Sequence, residues 1–75
     1  MNKEDIEMII ANMDAAGCST GDITRVRAMH EAGLDSEILS CLRRCRCDLM
    51  DELHETQRRV DRIDHLIRVA RKANE

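Results

Sequence analysis

Seventy-five residues, 36% of them charged, with no Phe, Tyr, Trp or Pro and only three Gly, make one domain at most, and a monomer of that size buries a small core. Missing aromatics exclude the stacking platforms that hold single-stranded nucleic acid, and a net charge of −3 offers no phosphate-binding excess. The charge is uneven: residues 1–37 carry three basic and eight acidic groups, residues 38–75 nine basic and seven acidic.

The first predicted helix runs from about Lys3 to Ala16. Asn2 can cap it, and Glu4, Asp5 and Glu7 suit its positive end. Ile6, Ile9, Ile10 and Met13 fall at i, i+3, i+4 and i+7, a single apolar stripe. Gly17 ends the helix as a left-handed cap. The second predicted helix runs from Thr20 to Ala32. Ser19 with Asp22 resembles a capping box in which Asp replaces the usual Glu. Ile23 and Val26, with Met29 or His30, supply its buried side, and Gly33 closes it with Leu34 folding back over the last turn.

The third predicted helix starts after Asp35, a good cap, and runs without Gly or Pro to about Lys72. At about 1.5 Å per residue it is a rod of roughly 57 Å. A heptad register places Leu39, Arg46, Leu53, Val60 and Ile67 on one seam position and Leu42, Leu49, Thr56, Ile63 and Ala70 on the other. Only Arg46 and Thr56 break the apolar pattern. Surface charges invite i,i+4 pairing at Arg44–Asp48, Glu55–Arg59 and Asp64–Arg68. The 34 residues before the rod can cover only part of it. The rest of the seam needs a partner, and a second copy of the same helix fits best.

The four cysteines are Cys18, Cys41, Cys45 and Cys47. Three lie within seven residues of one helix, where neighbouring side chains diverge too far for easy bridging. The polar, acidic N-terminus does not resemble a signal peptide and no apolar run approaches membrane-spanning length. The expectation is a cytoplasmic protein, not engaged with membranes, with reduced thiols. On a helix Cys41 and Cys45 share a face and Cys47 points away. Cys41 and Cys45 are therefore weak candidates for two thiolate ligands, with a further ligand from another chain. The simpler reading makes them small buried residues, Cys45 flanking the seam and Cys41 touching one of the short helices. Cys47, Asp51 and His54 follow one another at i, i+4 and i+7, but on the face away from the seam, where polar residues belong. No metal and no cofactor are expected.

No catalytic signature stands out. Ser19, Thr20 and Ser36 are explained by caps and turns, the carboxylate pairs Asp51/Glu52 and Asp61/Asp64 by solvated faces, and the glycines lack phosphate-cradling spacing. A DNA-binding helix-turn-helix is compatible with the turn Ala16-Gly17-Cys18-Ser19 and with Arg25 and Arg27. The acidic balance of this region and Asp22 and Glu31 on the would-be recognition helix oppose docking on phosphates.

The phrase Ile6-x-x-Ile9-Ile10-x-x-Met13-x-x-Ala16-Gly17-Cys18-Ser19-x-x-x-Ile23, followed by a long helix carrying Leu53-x-x-Thr56-x-x-x-Val60-x-x-Ile63-x-x-Leu66-Ile67, resembles the C-terminal region of MerR-family transcription regulators. The resemblance covers nearly the whole chain, and its motifs are mostly helix grammar. It implies a region that follows a winged-helix DNA-binding part, with the long helix forming an antiparallel coiled coil that dimerises the protein and links DNA binding to effector binding. The chain begins about where the winged helix would end, so no direct DNA binding is expected of it. Metal-sensing relatives use a thiol at the start of the long helix and a thiol pair near its far end. Nothing after Cys47 can serve as that pair, and Cys41 matches the first thiol only roughly. Cys18 stands where the family often has an aromatic.

These readings combine into an all-α fold: residues 1–34 form a two-helix cap on a long dimerisation helix at 35–75, in one structural domain. The long helices pair as a homodimeric coiled coil through Leu39, Leu42, Leu49, Leu53, Val60, Ile63 and Ile67, antiparallel as the resemblance implies. The expected function is a dimerisation and effector-response module of a MerR-like regulator, not an enzyme, with an unknown small-molecule effector. Two alternatives stand beside it: a stand-alone helical interaction protein that pairs with another regulator, and a small thiol or metal binder.

Overall fold

The computed structural model describes residues 1–74. They form three helices, α1 (Lys3–Ala15), α2 (Thr20–Glu31) and α3 (Asp35–Ala73), with no strand among the described residues. Each boundary follows from local chemistry. Asn2 Oδ1 accepts from the Asp5 N–H at 2.8 Å, and Ser19 Oγ accepts from the Asp22 N–H at 3.1 Å, so both short helices have side-chain caps at their N-termini.

Both short helices end in complete Schellman turns. Cys18 N–H donates to Met13 C=O at 3.0 Å and Gly17 N–H to Asp14 C=O at 3.0 Å. At the end of α2, Leu34 N–H donates to Met29 C=O at 2.9 Å and Gly33 N–H to His30 C=O at 3.0 Å. Gly17 and Gly33 take φ of 81° and 71°, the left-handed conformation this motif demands. The expectation for Leu34 is corrected in one respect: its backbone folds back, yet its side chain stays exposed.

The start of α3 departs from the sequence reading. Leu34, not Asp35, is the N-cap, and it offers no side-chain hydrogen bond. Asp35 is the first helical residue, and its carboxylate accepts from the N-terminal ammonium of Met1 at 2.9 Å. The Schellman turn runs straight into α3, which leaves no extended residue with a polar side chain for a conventional cap.

The core is small. Ile6, Ile10 and Met13 of α1, Val26 of α2, and Ile38, Cys41 and Cys45 of α3 are its buried members. Val26 at 0% exposure and Ile38 at 1% form its centre. Ile9, Cys18, Ile23, Met29 and Leu42 pack around it. Helix α2 packs on both neighbours, while no Cα of α1 comes within 8 Å of one in α3. Helices α1 and α3 meet through side chains: residues of both belong to the one core cluster and line one groove.

The molecule is a rod with a knob at one end. Its extents are 65 × 17 × 16 Å and its radius of gyration is 19.5 Å, against about 11 Å for a compact chain of this length. Every described residue from Asp51 onward is exposed. That stretch is a single helix projecting roughly 36 Å beyond the cap.

Candidate functional site

The projecting part of α3 carries an apolar edge. Leu39, Leu49, Leu53, Val60, Ile63 and Ile67 are between 42% and 56% exposed. Leu42 is half-buried against the core of its own chain, so it serves two surfaces. Leu66 and Val69 are also exposed near the far end. Full burial of such side chains contributes about 1.5–3 kcal/mol each, and half of that remains ungained in the single chain. Most helical stability in proteins comes from packing an apolar face, and few local interactions support this segment. Among the described residues one ion pair, Arg58–Glu55 at 2.6 Å, braces the projecting segment, with Arg59 Nη2 donating to Thr56 Oγ1 at 3.1 Å.

The total surface gives an independent measure. The chain exposes 6080 Å², whereas a compact globular chain of 8.6 kDa exposes about 4,700 Å². The surplus of about 1,400 Å² exceeds the roughly 800 Å² per partner that a standard interface buries.

The gap between α1 and α3 is an apolar groove of about 300 Å³. Ile9, Asn12 and Met13 of α1, Ala16 and Cys18 of the turn after it, and Leu42, Cys45, Arg46 and Leu49 of α3 line it. The groove runs into the seam, since Leu42 and Leu49 belong to both. Arg46, which interrupts the heptad, lines this groove.

A second constellation lies at the junction of α2 and α3. Asp22 Oδ1 accepts from Arg44 Nη2 at 2.9 Å and from Arg25 Nη1 at 2.7 Å. Asp22 Oδ2 accepts from the Cys45 thiol at 3.6 Å, and Arg44 Nη2 lies 3.8 Å from Cys41 Sγ. The ligand atoms of Asp22, Cys41 and Cys45 all lie within 4.8 Å of one another. The Asp22 side chain is only 16% exposed. The Ser19 hydroxyl holds its carboxyl below the ordinary range; burial opposes this, and Cys45, Arg44 and Arg25 add to the lowering. Burial first, and then the neighbouring Asp22 carboxylate, Cys18 and Cys41, together push the Cys45 thiol up to about 12.

Several sequence expectations are redrawn by this geometry. Cys41 and Cys45 are both buried, and Cys45 lies beside the seam residues Leu42 and Leu49 while its thiol reaches Asp22 of α2. The third polar group beside them is Asp22 of the same chain, not a residue of another chain. Asp22 caps nothing in return for Ser19; its carboxylate turns to α3. Arg44 pairs across to Asp22 and not along the helix to Asp48. Glu55 pairs with Arg58 and not Arg59, and Asp64–Arg68 makes no ion pair among the described residues. Cys47 is exposed, as its position on the helix implied, and it does not converge with Asp51 and His54 on a common point. The sequence reading missed Ile38. Its signal was the i, i+3, i+7 run of Ile38, Cys41 and Cys45, a second stripe beside the heptad seam.

Among the described residues no helix is long and apolar enough to cross a membrane. Comparison with protein-family models, with curated proteins and with solved structures finds no match to this chain.

Proposed function

We propose that this chain is a dimerisation module that pairs through α3, and that it serves as the dimerisation and effector-response part of a MerR-like transcription regulator. One observation carries the pairing: the apolar edge of α3 runs well past the last residue that α1 and α2 cover. A protein that keeps Leu53, Val60, Ile63 and Ile67 in a straight line in water has a use for that line.

An antiparallel pair fits the shape. A two-fold axis passing between Leu53 and Thr56 sets Leu49 opposite Val60 of the partner subunit and Leu42 opposite Ile67 of the partner subunit. The bare end of each rod then lies over the other's groove between α1 and α3, where Ile9, Met13, Leu42 and Leu49 line the surface. Two ends are covered at once, and two caps are held at a fixed separation. The regulator reading follows the resemblance of the helix pattern, and its mechanism is geometric. The module fixes the spacing of two DNA-reading heads, and an apolar effector that enters the groove shifts the partner's rod and so that spacing. The DNA contact belongs to the heads: this chain has net charge −3, and Arg25 is already committed to Asp22.

The test is a chimera. A monomeric winged-helix head is fused ahead of Met1 of the full chain, and its binding to an operator with two half-sites is measured. The expected result is paired, two-site binding that Leu53→Asp abolishes. Binding of isolated heads to single half-sites, unchanged by Leu53→Asp, would reject the reading.

A further inference from the structure

We propose that Asp22, Cys41 and Cys45 form an intrachain site for one thiophilic divalent cation with a filled d shell, of the Zn²⁺ class, held by two thiolates and one carboxylate oxygen. The donors come from two helices and are already gathered. Cys41 and Cys45 lie one turn apart on α3, and Asp22 Oδ2 faces them from α2. The Cys45 Sγ to Asp22 Oδ2 separation is 3.6 Å. A tetrahedral ion with a sulfur at about 2.3 Å and an oxygen at about 2.1 Å requires about 3.6 Å between them. Two sulfurs on the same ion stand about 3.8 Å apart, and the whole donor set already lies within 4.8 Å.

The two oxygens of Asp22 divide the work. Oδ1 takes Arg25 and Arg44, while Oδ2 takes the Cys45 thiol. Replacing the thiol proton by a cation therefore leaves both ion pairs intact. Charge also balances. Cys41 and Cys45 each release one proton as one divalent ion enters, so the net charge of the cluster is unchanged. Because the sulfurs bind as thiolates, uptake releases protons and depends on pH. Arg44, already 3.8 Å from Cys41 Sγ, is placed to donate to the thiolate that forms. A depression lined by Cys18, Asp22, Cys45, Asp48 and Glu52 opens beside these donors, so water or one of those groups could take a fourth position. Soft sulfur donors favour the Zn²⁺ class over Mg²⁺ or Ca²⁺.

The experiment titrates the reduced full chain with Co²⁺ and then displaces it with Zn²⁺. Expected are one Co²⁺ per chain, the visible bands of a tetrahedral ion, sulfur-to-cobalt charge transfer of two thiolates, and two protons released per ion. The double variant Cys41→Ala/Cys45→Ala loses the bands, Asp22→Asn weakens binding more than about tenfold, and Cys47→Ala leaves it unchanged. A folded chain that gives no such bands overturns the site, as do bands that survive in the double variant or vanish in Cys47→Ala. Should the double variant fail to fold, Asp22→Asn decides, since it keeps both thiols: unaltered Co²⁺ affinity there overturns the assignment. The readout is the same for single and paired chains, so failure here and failure of the dimerisation reading are separable.

Discussion

Arg44 of α3 donates to Asp22 of α2 at 2.9 Å, across 22 residues of sequence. The contact ties the long helix to the cap at the edge of the core, and Asp22 draws Arg25 and the Cys45 thiol to the same carboxylate. Its titration follows from this. The folded-state pKa of Asp22 lies below its ordinary value, with the Ser19 hydroxyl as the largest cause. A depressed carboxyl contributes stability that is fully present above its unfolded pKa of about 3.9 and is lost as pH falls through the folded value. Asp22→Asn is therefore expected to lower the urea midpoint at neutral pH. The gap to the parent chain should close in acid, and a gap that stayed constant would contradict the assignment.

Cys45 titrates in the opposite range. Its pKa rises from 9.0 to about 12 in the folded chain, first through burial. Below pH 9 both states keep the proton, so the contribution is fully present there. Between that point and about 12 the unfolded chain ionises while the folded chain does not, and stability falls. In the native chain the thiolate is the reactive form. Alkylation followed by mass spectrometry is expected to modify exposed Cys47 first, with Cys41 and Cys45 protected until the chain unfolds.

Two isoleucines of α3 separate the cap from the pairing surface. Ile38 is 1% exposed within the chain and Ile63 is 56% exposed. Ile38→Ala is expected to cost about 2–5 kcal/mol at any concentration, from lost transfer energy and an unfilled cavity. Ile63→Ala is expected to act through association, so its effect on the urea midpoint should be largest where the chains are paired and fade on dilution into the single-chain range. Equal, concentration-independent losses in both variants would show that Ile63 packs within its own chain.

The left-handed glycines give a third contrast. A Cβ added at Gly17 or Gly33 meets no atom within 4 Å, so its cost is backbone strain alone. Gly17→Ala and Gly33→Ala are each expected to lose about 1–2 kcal/mol by thermal or urea unfolding. Gly21, with negative φ inside α2, is expected to respond in the other direction, with Gly21→Ala gaining up to about 1 kcal/mol.

Local chemistry was legible in the sequence wherever a short segment decides the outcome. Asn2, Ser19, Gly17 and Gly33 sit at the ends that their side chains or backbone freedom dictate. The length of α3 followed from the absence of any breaker. Features that depend on how helices cross were not legible. Periodicity places Ile38, Cys41 and Cys45 on one stripe, but it does not say that α1 and α2 bury that stripe. The inward turn of Asp22 could not be read from a capping pattern either, because the group that attracts it, Arg44, lies on the next helix. Asp35 looked like a cap because Asp so often is one; the preceding Schellman turn assigned that position to Leu34.

Sedimentation equilibrium of the reduced full chain at micromolar concentration addresses the central claim most directly. The expected mass is twice 8.6 kDa, falling to the single-chain value in Leu53→Asp together with much of the helicity. A fully helical species of 8.6 kDa that shows no association as concentration rises would contradict it.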